Sequence, residues 1–248
     1  KSPFSYRINM EFVPEENVVQ GKQTTIIENK LNTSINNVYY VLRANLLREK
    51  NPYLADINID ATYPGGFDPA WTKISNIRNG EGQKLQYELM KAPAGMQEYS
   101  LQNVLLKVDL QEELSPGSKR EISLDFSTKF PLKKGGDQER FQGVYAWRFG
   151  WHPQLTPQSW WIVDDLSVFK KEVMPTANYD INFQLPEDFL VSGSVKGKIA
   201  NINNGDKKVL RFQEDDIRSF PLLFSDKYDS YVTNYKDVTI EVLHFKGY

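Results

Sequence analysis

Apolar and polar residues alternate with a period of two along most of the chain, the signature of strands with one face buried. In YRINMEF, Tyr6, Ile8, Met10 and Phe12 fall on one side while Arg7, Asn9 and Glu11 fall on the other. REISLDFSTKF repeats the pattern with Ile122, Leu124 and Phe126 against Glu121, Ser123 and Asp125. YDINFQL does so with Tyr179, Ile181, Phe183 and Leu185, and DVTIEVLHF with Val238, Ile240 and Val242. Each segment is expected to form an antiparallel strand with its apolar side on a core.

Turn residues divide these segments. In SPGS, residues 115–118, Pro116 sets φ and Gly117 is free to take a positive φ. YPGGFDP, RNGEG, KKGGD and NNGD punctuate the chain in the same way. No sustained helical stripe occurs; AWTKISNIR comes nearest and is short. The spacing of turns predicts roughly 14–18 short strands. With no Pro/Gly/Ser linker and no internal repeat, residues 1–248 read as a single all-β domain.

Composition then removes classes of function. A net charge of -2 with scattered lysines gives no footprint for nucleic acid. No apolar run approaches the ~20 residues that span a bilayer. Zero cysteines exclude disulfides, thiol catalysis and cysteine metal sites. The two histidines, His152 and His244, are too far apart in sequence to form an H-E-x-x-H helix. No G-x-S-x-G elbow, P-loop or G-x-G-x-x-G is present. Carboxylates pair at Asp164 and Asp165 and cluster at Glu214, Asp215 and Asp216, where a solvated surface outweighs calcium or glycosidase chemistry. Asn32-Thr33-Ser34 fits a glycosylation sequon, which matters only in a eukaryotic secreted protein. No catalytic or metal-binding residue is assigned in this segment.

The remaining candidate is the aromatic stretch RFGWHPQLTPQSWW, residues 148–161, preceded by Trp147. Tryptophans on one face can stack on sugars or peptides, and they can equally fill the space between sheets. The alternation in VYAWRF places Trp147 in the core, and filling is the favoured reading for Trp151 and Trp161 as well. Pro153 and Pro157 stiffen the intervening loop. Trp151, His152, Gln154 and Trp160 are the candidates for contact with a substrate or partner, with at least one of Trp151 and Trp160 expected to be partly exposed.

The order of the pieces resembles the N-terminal β-domain of bacterial zinc metallopeptidases of the aminopeptidase N family. Residues 6–49 are similar to its opening, with Gly21, Asn29 and the Leu42–Asn45 stretch in matching places. VDLQEELSPGSKREISLDFSTKFP resembles its Pro-Gly hairpin, and YPGGFDPAWTKISNI an insertion seen in bacterial members. WHPQL and SWW are similar to a W-Y-P segment with a downstream Gly-Trp, with His152 where tyrosine is usual. ANYDINFQLPEDFLVSGS and FQEDDIRSFPLLFSDKYD follow in the family's order, with Ser219-Phe220-Pro221 departing from its pattern.

The resemblance implies a saddle-like, multi-sheet antiparallel β-sandwich. It also implies a non-catalytic role, in which the domain packs on a catalytic domain of the same polypeptide and lines its peptide cleft. Zinc is then expected in the full-length parent only, with a peptide as the parent's substrate. The missing initial methionine is read as the removal of a leader, an anchor or a tag, and with the resemblance it points to an extracytoplasmic or cell-envelope setting, with no membrane span in this segment. The other reading left open is a free-standing β-sandwich module that binds glycan or protein through an aromatic face.

Overall fold

The computed structural model describes residues 2–48, 57–90, 103–135, 138–160, 174–193, 198–203 and 206–247. In chain order the strands are β1 (Phe4–Val13), β2 (Val18–Glu28), β3 (Ile35–Val41), β4 (Trp71–Asn79), β5 (Tyr87–Leu89) and β6 (Leu105–Leu114). Then come β7 (Lys119–Lys129), β8 (Gln138–Phe141), β9 (Val144–Trp147), β10 (Gln154–Leu155), β11 (Ala177–Pro186) and β12 (Leu190–Ser192). The last are β13 (Lys198–Asn203), β14 (Lys207–Ile217), β15 (Leu222–Ser225), β16 (Tyr228–Tyr235) and β17 (Val238–Phe245). A short α-helix, α1 (Ile59–Thr62), is capped by the Asn58 side chain, which accepts from the Ala61 amide.

A seven-stranded sheet in the order β13-β14-β11-β1-β2-β7-β4 forms one layer. Against its inner face lie two four-stranded sheets, β10-β3-β6-β5 and β12-β15-β9-β8. Their positions follow from contacts along β1. Near one end the Leu155 amide of β10 donates to the Tyr6 hydroxyl, at 2.7 Å. Near the other end Phe12 meets the rings of Tyr145 on β9 and Phe224 on β15, both at 4.8 Å. The chain is therefore an all-β sandwich of several sheets with a continuous core.

The alternating runs deliver the core they promise. Tyr6, Ile8, Met10, Phe12, Ile122, Leu124, Phe126, Ile181, Phe183 and Leu185 are all buried in one cluster. They are joined by Tyr40 and Val108 from one smaller sheet and by Trp147 and Phe224 from the other. Fully burying one such side chain is worth about 1.5–3 kcal/mol. The outer face carries the polar half of each strand.

Three local features differ from the expectation. β11 pairs with β1 in parallel, Ile8 opposite Ile181, so the large sheet is mixed rather than wholly antiparallel. An alternating pattern records which face is buried and says nothing of a neighbour's direction. AWTKISNIR, the nearest approach to a helical pattern, is mostly strand β4. Its register against β7 shifts between Ser75 and Arg78, where Asn76 takes φ 53°, so the buried positions pass from Thr72 to Ile77. The bulge breaks the period of two and leaves a spacing that looks helical. Finally, Val238, Ile240 and Val242 are exposed, because β16 and β17 form a separate two-stranded ribbon instead of joining the core.

Candidate functional site

The aromatic stretch begins where β9 ends with Trp147, buried edge-to-face against Phe130 at 4.8 Å. Gly150 then turns the chain with φ +77°, and a Cβ there would lie 2.5 Å from that of Arg43. Only glycine fits such a position. The turn sends residues Trp151–Thr156 into the interior, every one of them buried. Trp151 donates from Nε1 to the Phe220 carbonyl at 2.7 Å. Gln154 and Leu155 form β10, pairing with Val41 and Tyr40 of β3. The proline-stiffened loop is thus an inserted edge strand, where missing amide donors cost least.

His152 lies at the centre of a buried polar network. Its Nδ1 faces two acceptors, Gln23 Oε1 at 2.8 Å and the Pro153 carbonyl at 3.0 Å, so Nδ1 carries the proton. Gln23 in turn donates from Nε2 to the Pro153 carbonyl at 2.9 Å and to Thr25 Oγ1 at 3.2 Å. The ring packs between Tyr6 and Tyr179, with centroids 5.0 and 5.8 Å away. Gln154 reaches the Tyr179 hydroxyl at 3.4 Å. Burial pushes the His152 pKa down to about 3, partly offset by the Pro153 carbonyl, so the imidazole is neutral at pH 7. Burial also raises the pKa values of Tyr6, Tyr40 and Tyr179. Among the described residues, His152 Nε2 and Gln154 Oε1 find no hydrogen-bond partner.

Trp151, His152 and Gln154, three of the four contact candidates, are therefore brought together, but inside the sandwich. Trp151 is completely covered. Trp160 ends a short 3₁₀ turn, Gln158–Trp160, that follows the buried stretch, and Ser159 beside it is exposed. The side chain of Trp160 lies outside the described residues, as do Trp161, Asp164 and Asp165. Glu214, Asp215 and Asp216 sit at the bulged end of β14, where Asp216 accepts from the Ser2 amide at 2.9 Å. His244 is on β17, half-buried, in an element remote from His152 in the topology.

The residues that carry the resemblance have structural duties of their own. A Cβ at Gly21 would come within 2.1 Å of the Asn9 carbonyl oxygen, so β1 and β2 can approach only across a glycine. Buried Asn29 donates to the Thr33 and Leu114 carbonyls at 2.9 and 2.8 Å and accepts from the Leu31 amide. Asn45, at the end of the Leu42–Asn45 stretch, joins the Asn103 carbonyl and the Thr72 amide. Sequence reasoning missed Asp68, which accepts from Lys129, the Leu132 amide and Arg140. Burial works to raise its pKa, but these three donors outweigh it and hold the carboxyl below its ordinary value. A single aspartate in a Gly/Pro-rich loop gives no sequence signal of that kind.

An open trough of about 800 Å³ lies across the polar face of the large sheet. Among the groups lining it, Gln20 donates to Glu11.

No family model matches the chain, and no curated protein matches it either. Solved structures do. The M1 zinc metallopeptidase from Deinococcus radiodurans superposes with a TM-score of 0.56 at 12% identity, covering 98% of this chain and 47% of the peptidase. A mutant of that enzyme bound to a Tyr-Ser-Ala substrate gives 0.57 at 13% identity, with 99% and 48% covered. A two-domain M1 zinc metallopeptidase mutant bound to L-tryptophan gives 0.59 at 12%, with 100% and 49% covered. The chain shares its fold with part of the M1 zinc metallopeptidases. It spans about half the length of the structures it matches.

Proposed function

We propose that this chain is the non-catalytic, N-terminal β-domain of an M1-like zinc metallopeptidase. In this reading it packs on a catalytic domain of the same polypeptide and forms one wall of the peptide cleft. The observation that carries it is the near-complete superposition of the chain on about half of each neighbour. The donor set of the chain supports a division of labour. Its two histidines do not fit a zinc site: one is locked against Gln23 in the core and the other lies on a ribbon strand. Zinc, and the peptide hydrolysis it supports, would belong to the other half. Of the four contact candidates, Trp160 is the one we propose for cleft or partner contact, since the chain returns to the surface beside it at Ser159. The cell-envelope setting is part of the same proposal and is read by fractionation of the source cells. Burial of Trp147 and Trp151 weighs against a glycan-binding platform built from those rings.

The test compares this chain with the full-length gene product. The chain alone is expected to retain no zinc after dialysis against chelator and to release no amino acid from peptides. The full-length product is expected to bind one zinc and to act as an aminopeptidase. A full-length product without zinc and without peptidase activity overturns the reading.

A further inference from the structure

The inserted strand β10 and the residues before it meet the large sheet through a row of buried polar groups. Tyr6 on β1 lies opposite Tyr179 on β11, their rings 5.1 Å apart, and Thr25 of β2 continues the row. His152 and Gln154 both reach it. The imidazole packs on the two tyrosine rings, and the amide meets the Tyr179 hydroxyl. His152, Gln154, Tyr6 and Tyr179 are each only 1–3% exposed.

The donors and acceptors of this group do not pair off. With its proton on Nδ1, His152 offers Nε2 as an acceptor, and Nε2 has no partner among the described residues. Gln154 Oε1 is a second acceptor left unpartnered there. The Tyr6 oxygen accepts from the Leu155 amide at 2.7 Å and the Tyr179 oxygen from Gln154 Nε2 at 3.4 Å, which leaves both hydroxyl protons to give. Buried polar groups are costly when their bonds go unmade. A ligand that completes this set must donate twice and also accept. It must be neutral as well. The groups acting on the His152, Tyr6 and Tyr179 rings are tyrosines, the Gln154 amide and the backbone of Pro153 and Leu155, with no carboxylate, lysine or arginine among them. An ion would stand unpaired in the core.

We propose that His152, Gln154, Tyr6 and Tyr179 form a binding site for one internal water molecule. The water donates to His152 Nε2 and Gln154 Oε1 and accepts from a tyrosine hydroxyl, about the three bonds that such a water usually makes. It joins the inserted segment to β1 and β11, just before the chain returns to the surface beside Trp160. The site goes beyond the function proposed above and does not depend on it. Its rival is a dry core, in which the Gln154 amide is turned over and donates to His152 Nε2 directly.

A crystal structure fine enough to place ordered water, of the chain or of its full-length gene product, tests this. One water is expected within roughly 2.7–3.2 Å of both His152 Nε2 and Gln154 Oε1. In solution at pH 7, nitrogen-15 labelled His152 should show Nε2 upfield of an unbonded ring nitrogen, with a nuclear Overhauser signal from water on the adjacent ring protons. Gln154→Met removes one acceptor at similar side-chain length. It is expected to abolish the water and to move Nε2 towards the unbonded position. No water, with the amide nitrogen of Gln154 bonded to Nε2, overturns the proposal in favour of the dry core. A water that survives Gln154→Met with Nε2 unmoved overturns the site as drawn. Should that variant fail to fold, the wild-type density and Overhauser signal decide alone.

Discussion

His152 shows how much a single buried residue can set. Its proton sits on Nδ1 because both groups facing that atom are acceptors, and its Nε2 points at no donor or acceptor among the described residues. The neighbouring ionisable rings, Tyr6 and Tyr179, are shifted upward and stay neutral in acid. The folded-state pKa of about 3 lies below the unfolded value near 6.5. Between those values the unfolded chain takes up a proton that the folded chain refuses. The stability this residue contributes is thus complete above pH 6.5 and is lost as pH falls towards 3. The loss is on the order of 3 kcal/mol between pH 7 and pH 4. His152→Asn removes the titration while keeping a hydrogen-bonding group. Urea midpoints measured across this range should show the wild-type chain's advantage over the variant shrinking in acid. A constant gap would mean the imidazole is reached by solvent. Carboxylates such as Asp68 titrate in both proteins and cancel in the comparison.

The strands divide into those the alternation located correctly and those it could not place. Ile122, Leu124, Phe126, Ile181, Phe183 and Leu185 face inward as read, because a half-buried strand writes its register into every second residue. Phe183→Ala should cost ~3–5 kcal/mol in denaturant titration, as expected for a fully enclosed ring. Gly21→Ala, which adds rather than removes atoms, should also destabilise, by about 1–3 kcal/mol or more, since the new Cβ meets backbone that cannot yield. A neutral result at Gly21 would show that β1 and β2 are further apart than described. The parallel pairing of β1 with β11 was not legible, because direction depends on the path between strands. The β4 bulge was not legible because it imitates another period. The burial of Gln154 was not legible either: a loop with two prolines reads as surface, and only the covering strand β3 makes it interior. The alternation in VYAWRF placed Trp147 well, while Tyr145, on the same side of the strand, is only half-buried. Its hydroxyl donates to Asn17 Oδ1 at 2.9 Å.

Across the whole molecule, the described residues pose a contrast between one interlocked body and one ribbon. A single apolar cluster joins the large sheet to both smaller sheets, so none of the three can lose its partner without opening the others. Trp147 and Trp151 report on that body, one at the junction with Phe130 and the other hydrogen-bonded to the Phe220 carbonyl. The ribbon is tied back chiefly at its base, where the Lys246 amide donates to the Lys227 carbonyl at 2.9 Å. Little apolar surface is lost when it frays. Unfolding should therefore proceed as one cooperative transition of the body, with tryptophan fluorescence and far-ultraviolet circular dichroism giving coincident midpoints. Exchange of the ribbon amides should report a far smaller opening free energy than the global value. Two separated transitions by fluorescence and dichroism would show that the smaller sheets open independently of the large one. Ribbon amides that exchange only by global unfolding would show that the body itself holds the ribbon.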